Sequence, residues 1–295
     1  MAAEGSLLPS VPGEPLGIAG GGGSLPRIIA DAAAANGWRP HILGVADGIK
    51  SDWSPYPSRP MAWGKLGDGL NWLRVSGARK LVLCGTVSVR PDFKSILPSW
   101  RTLMMMREIF GVMRGGDDNL LRAATRTFEA RGFEVVGVQA IVPSLLAPDG
   151  LIAGHAPDPH EEAAISRGVA AATTLGALDI GQAIVASRDR VVALEGIEGT
   201  REMLHRVADL KRRGRIGRNE RCVLVKCRKP DQDDRFDLPS IGSATVDEAA
   251  EAGLAGIAVT AGGSLVLGLD DVRQAAHDKG IFVVGRRTIP NGGEI

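Results

Sequence analysis

The 295-residue chain has little of what marks several protein classes. Its three cysteines, Cys84, Cys222 and Cys227, cannot all pair, and Cys84 and Cys222 lie in or beside apolar strand-like runs. Reduced core thiols and a cytoplasmic location are therefore expected. One Tyr and six Phe leave few platforms for base stacking, and a formal net charge of +1 creates no whole-molecule field toward polyanions. Nucleic acid is thus excluded as a partner, and any membrane contact has to be local. No stretch reaches the ~18 uninterrupted apolar residues of a membrane span. Met1 to Pro15 lacks the basic start and apolar run of a signal peptide.

Glycine, by contrast, is plentiful, at 39 residues, which suits tight strand-to-helix turns. The length favours about two domains. Leu16–Ala19 reads as a buried strand, Gly20–Gly23 as a loop and Leu25–Asn36 as a helix closed by Gly37. The pattern recurs with a strand at His41–Val45, a helix at Leu66–Ser76, a strand at Lys80–Cys84 and a strand at Phe133–Val138. Such alternation predicts an N-terminal Rossmann-like parallel-sheet domain over 16–142. Residues 143–160 carry four prolines and read as a linker. Over 161–285 a helix, a hairpin around Arg188-Asp189-Arg190, and further strands and helices predict a C-terminal mixed α/β domain.

Several segments carry candidate chemistry. Gly20-Gly21-Gly22-Gly23-Ser24 follows a strand and opens a helix, so Gly22 and Gly23 can present backbone N–H groups to a phosphate; a merely tight turn explains them too. The dinucleotide fingerprint fails, because Leu25 stands where its third glycine belongs. Gly85 and Arg90 follow a buried strand at the presumed ligand-binding edge. Gly116, Asp117 and Asp118 combine glycine and carboxylate before a helix, where capping is an equal explanation. His155 and His160 beside Asp158, Glu161 and Glu162 fit a polar linker better than a metal site. Cys222 and Cys227, five residues apart on a strand, face opposite ways and do not suit zinc. Lys211–Arg218 is the densest basic run, a solvated loop or a contact for anionic lipid.

The richest segment runs from Lys226 to Asp237. If extended after Pro230, it places Asp233, Arg235 and Asp237 on one side. Two aspartates could then share a Mg²⁺-type ion while Lys226 and Lys229 offset phosphate charge. Glu198 and Thr200 form a second cluster, with Thr200 alternatively the N-cap of a helix starting at Arg201.

Gly17-Ile18-Ala19-Gly20-Gly21-Gly22 with Leu25-Pro26, Arg90-Pro91, Gly116–Arg122, Asp179-Ile180-Gly181-Gln182, Glu198-Gly199-Thr200, and Lys229-Pro230 through Arg235–Pro239 occur in one order. That order resembles the LpxI-type UDP-2,3-diacylglucosamine diphosphatase family from about Leu16 to Gly285, with Thr260 where an acidic residue is expected. The resemblance implies metal-assisted hydrolysis of UDP-2,3-diacylglucosamine to UMP and 2,3-diacylglucosamine 1-phosphate (lipid X), a lipid A step in Gram-negative bacteria, with Mg²⁺ or Mn²⁺ as cofactor. It implies Asp237 as the essential aspartate with Asp233 second, Asp237, Asp233 and Glu198 around the metal, and Gln182 and Thr200 among the substrate contacts. It also implies a lipid chamber between the domains and peripheral contact with the inner membrane; a homo-oligomer is allowed. The competing readings are a nucleotide-sugar-binding protein without chemistry and a nicotinamide-dependent oxidoreductase.

Overall fold

The structure, a computed structural model, describes residues 5–87, 98–110, 125–178, 180–229, 233–235 and 238–287, without the side chains of 106–110. Arg90, Gly116, Asp117, Asp118 and Asp237 lie outside the described residues. The chain divides into two units. The first runs to Ser144 and includes Asp233, Asp234 and Arg235; the second holds the rest from Leu145.

In the first unit, β1 (Pro15–Gly20) is the axis of a sheet ordered β3-β2-β1-β4-β5. Its partners are β2 (Arg39–Val45), β3 (Ser58–Met61), β4 (Lys80–Cys84) and β5 (Glu134–Val136). Every pairing is parallel, as the alternation predicts. Leu16 and Ile18 are wholly buried on one face and Gly17 is buried on the other, against Leu73 and Leu81, as a strand covered on both faces requires. Helix α1 (Leu25–Ala35) follows β1, with proline in its first turn, where a missing N–H costs nothing. Helix α2 (Leu66–Val75) packs against α3 (Trp100–Phe110). Gly67 permits this: a Cβ there would lie 2.7 Å from the Arg101 carbonyl carbon, and its N–H donates to Thr102 Oγ1 at 3.0 Å. The strand expected over Phe133–Val138 is shorter than read, because Gly137 is extended and caps a helical turn at Val138–Ile141.

The second unit holds a six-stranded sheet ordered β6-β13-β11-β9-β7-β8. Strands β9 (Cys222–Lys226), β11 (Gly256–Thr260) and β13 (Phe282–Arg286) are parallel. The hairpin of β7 (Ala183–Ser187) and β8 (Val191–Leu194) joins antiparallel to β9, making the sheet mixed as expected. Gly150–Ala153, inside the segment read as a linker, forms the edge strand β6 antiparallel to β13. Four residues between proline and glycine carry too little alternation to be read as a strand.

Period two sorts the core of this unit into two layers. Val223, Val225 and Cys227 pack with Ala164, Ile165 and Ala172 of α4 (Pro159–Ala177). Cys222 and Leu224 pack with Met203, Val246 and Val272 of α5 (Gly199–Arg212), α6 (Ser243–Glu251) and α7 (Leu269–Lys279). The two cysteines thus face opposite ways, as read. Asp158 opens α4 through a capping box with Glu161, and buried Glu161 also accepts from Arg221 Nε at 2.6 Å. That accounts structurally for the acidic residues near His155 and His160.

Gly168 in α4 decides how closely the helix meets β9, since a Cβ there would fall 2.4 Å from Val225 Cγ2. A glycine-to-alanine change in an open helix stabilises by up to ~1 kcal/mol. Here the stiff, buried valine reverses the sign, and Gly168→Ala is expected to destabilise by about 1–3 kcal/mol. An unchanged or raised urea midpoint would refute this packing.

Candidate functional site

In the first unit the strand order reverses between β1 and β4, which opens the crevice where ligands of parallel α/β sheets bind. Gly20–Gly23 and Gly85-Thr86 meet there. Gly22 N donates to Thr86 O at 2.8 Å, Thr86 N returns to Gly22 O at 3.0 Å, and Gly21 N donates to Cys84 O at 2.9 Å. A Cβ on Gly21 would sit 2.3 Å from Thr86 O, and one on Gly22 would sit 2.8 Å from Asp47 Cβ. Two of the glycine N–H groups are therefore spent on holding the loops together. The anion-facing part of the motif narrows to Gly23, at φ 81°, and the start of α1, where the Ser24 side chain makes no capping bond. Asp47 beside Gly22 is a polar neighbour that the sequence reading did not single out, since a lone aspartate 25 residues downstream of that glycine carries no signal.

Asp233–Arg235 joins this unit as a turn instead of the extended run expected. Asp233 Oδ1 accepts the Arg235 backbone N–H at 3.1 Å, the local bond by which aspartate nucleates turns. The pairing of Asp233 with Arg235 survives: Nε reaches Oδ1 at 2.9 Å and Nη2 reaches Oδ2 at 2.7 Å. Arg235 Nη1 also donates to Glu129 Oε1 at 2.6 Å, and Gln139 Nε2 donates to Asp234 O at 2.6 Å. These carboxylates, Asp233 first, hold the guanidinium more firmly protonated than usual. Glu129 and Gln139, a hundred residues from the turn in sequence, gave no signal of this role.

The second unit gathers another set of polar groups where β7 begins and β8 ends. Buried Glu195 accepts from Thr200 Oγ1 at 2.6 Å and from Gln182 N at 3.2 Å. Thr200 therefore serves Glu195 and is not the N-cap of α5; that position belongs to Glu198, whose side chain makes no capping bond. Gly181 is required here, because a Cβ would lie 2.3 Å from Glu195 O. Glu198 pairs with Arg206 at 3.1 Å. Lys226, at the end of β9, is buried and donates to Ser240 O at 3.0 Å; Lys229 is half-buried. In the basic run, Lys211 donates to Gly253 O, and Arg212 and Arg213 pair with Asp209. Three of its cations are thus held within the unit.

In this structure Asp233 and Glu198 are both engaged by arginines. The Asp233 oxygens face Arg235, Glu198 faces Arg206, and the two belong to different units. Among the described residues no group of three or more His, Cys, Asp or Glu side chains is placed to hold an ion.

The chain is thus a five-stranded parallel unit followed by a mixed α/β unit, each with glycine-dependent polar loops beside its strands. Residues 15–145 match the LpxI N-terminal domain and residues 148–284 match the LpxI C-terminal domain. The chain belongs to the LpxI family. It is 39% identical over 272 residues to the UDP-2,3-diacylglucosamine pyrophosphatase LpxI of Caulobacter vibrioides, covering 92% of this chain and 96% of that protein.

Cys84 ends β4 beside the glycine crevice, whereas Cys222 and Cys227 lie in the core of the second unit. Burial pushes Cys84 up to about 12, Cys222 up to about 11 and Cys227 up to about 11, the last opposed by a hydrogen bond with Thr260. Nucleophilic attack requires the thiolate. The native protein is therefore expected to react slowly with Ellman's reagent at pH 8, the partly exposed Cys84 first, and to release all three equivalents on denaturation. A rapid native equivalent would contradict the assignment.

Proposed function

We propose that the protein hydrolyses the diphosphate of UDP-2,3-diacylglucosamine, giving UMP and 2,3-diacylglucosamine 1-phosphate. The observation that carries this reading is the likeness, along nearly the whole of both chains, to a relative named for that substrate. The local chemistry is compatible with it. The crevice between β1 and β4 is the expected place for a nucleotide in a sheet of this order. Gly23 and the N-terminus of α1 supply N–H groups and a dipole for a phosphate, with Gly85 keeping the opposing loop close. In the second unit, Gln182 and Thr200, fixed by buried Glu195, offer polar contacts, and Lys229 offers a cation.

In the same proposal Asp237 is the essential carboxylate, as general base for the attacking water or as ligand of Mg²⁺ or Mn²⁺. Asp233 acts through Arg235 as a positioning residue, and Arg90, Gly116, Asp117 and Asp118 belong to the substrate-binding set. Lys226 holds the end of β9 through Ser240 and belongs to the substrate-binding set as a positive charge. Contact with the inner membrane follows from a diacyl substrate.

The test is release of UMP from UDP-2,3-diacylglucosamine by purified protein. Asp237→Asn is expected to lower kcat about 10²–10⁴-fold with KM little altered. Asp233→Asn, which weakens one of two supports of Arg235, is expected to cost roughly tenfold and chiefly in KM. Failure of the native protein to release UMP while it still binds the substrate would reduce it to a binding protein; full turnover by Asp237→Asn would remove that residue from the chemistry. Chelation with EDTA is expected to abolish activity and Mg²⁺ to restore it. Activity unaffected by chelation would exclude the metal and leave hydrolysis standing.

A further inference from the structure

Helix α3 carries an apolar face that is open to solvent. Trp100, Leu103 and Met104 are 73%, 43% and 56% exposed, and their i, i+3, i+4 spacing puts them together on one side. Thr102 and Met105, turned the other way, are buried. Folded chains seldom leave tryptophan, leucine and methionine together in water without a use for them.

Beside this face lies a cavity of about 340 Å³, to which Met104 also contributes. Its apolar lining, Leu70, Met105 and Phe133, is buried. Its remaining walls include the guanidinium side chains of Arg74, Arg101 and Arg131, and among the described residues no carboxylate lines it. Each of these arginines gives an N–H to a neighbour: Arg101 to Asp68 at 3.2 Å, Arg74 to Asn71 at 3.1 Å and Arg131 to Thr127 O at 2.9 Å.

We infer that this face of the first unit seats on the surface of an anionic phospholipid bilayer. An in-plane helix with Trp, Leu and Met on one side buries them at the level of the headgroups. Tryptophan, apolar in body and with one N–H donor, suits that boundary. The arginines answer lipid phosphates, which their planar forks match. A second copy of the chain is a poorer occupant, because an isologous contact would set the three arginines against their own images. The surface is distinct from Lys211–Arg218, which belongs to the second unit. The inference does not require the proposed hydrolysis, and its measurement is independent of turnover.

The experiment is co-sedimentation of the full chain with vesicles of phosphatidylcholine alone or mixed with phosphatidylglycerol, at low and physiological salt. Binding to the mixed vesicles, weakened by salt, is expected. The combined variant Trp100→Ser, Leu103→Ser, Met104→Ser should reduce it at least tenfold. Arg74→Gln and Arg101→Gln should each reduce it about fivefold, in line with the worth of one cation at an anionic surface. Arg215→Gln with Arg218→Gln should leave it unchanged. Circular dichroism confirms folding of each variant, and because the substituted side chains are exposed the fold is expected to persist. The inference is overturned if the native protein ignores mixed vesicles, if the triple variant binds them equally, or if the triple variant instead abolishes self-association seen by sedimentation equilibrium in the absence of lipid.

Discussion

The first unit is organised by a contact between backbones at the carboxyl ends of β1 and β4. Gly21 and Gly22 lie against Gly85 and Thr86 so closely that no Cβ fits, and reciprocal N–H to carbonyl bonds lock the two loops. Gly48 repeats the constraint on the other side, where a Cβ would come 2.2 Å from Gly20 O. The Trp53 indole closes this layer, donating to Gly48 O at 3.0 Å and lying over Gly20 and Gly44. The start of α1, the position of Asp47 and the width of the crevice all follow from it. A run of four glycines here is thus chiefly a packing requirement, and its contribution to anion binding is confined to its last member.

In the second unit, β9 has the corresponding place. Its alternating residues supply both core layers, and its last residue, Lys226, is buried where the chain leaves the sheet. Three residues of the segment that follows, Asp233–Arg235, belong to the first unit, through Glu129 and Gln139. The Asp233–Arg235 part of the Lys226–Asp237 stretch therefore has a structural role. A change in the Asp233–Arg235 turn alters the first unit even though its sequence neighbours lie in the second.

The strands and helices were legible because their signals are local. Period two along Cys222–Cys227 predicts opposite faces for the two thiols, and they enter opposite core layers. The hairpin at Arg188-Asp189-Arg190 follows from two apolar runs around a polar tip. Less of the candidate site was legible. The Asp233 turn turns on a bond of the carboxylate to its own backbone, which defeats a reading based on the spacing of prolines. Thr200 has the right identity for an N-cap, but its hydroxyl is claimed by Glu195, a competitor visible only once β8 and α5 are brought together. The edge strand β6 is too short to announce itself, and the partners of Arg235 are distant in sequence.

Pairing with arginine also sorts the carboxylates by what they can do. A carboxylate held by a guanidinium has oxygens directed at fixed donors and is turned to its own neighbours while that pair is closed. Asp233 and Glu198 are in that state, with Arg235 and Arg206. Glu195 is bound by neutral donors, a hydroxyl and a backbone N–H, and is enclosed beside Gly181, so its charge steadies Thr200 and Gln182 and does not reach outward. The acidic residues that looked interchangeable in sequence are therefore not equivalent. Three act by holding neighbours in place, and the proposed role of Asp237 rests on the resemblance of the Arg235-Phe236-Asp237 motif, not on these pairings.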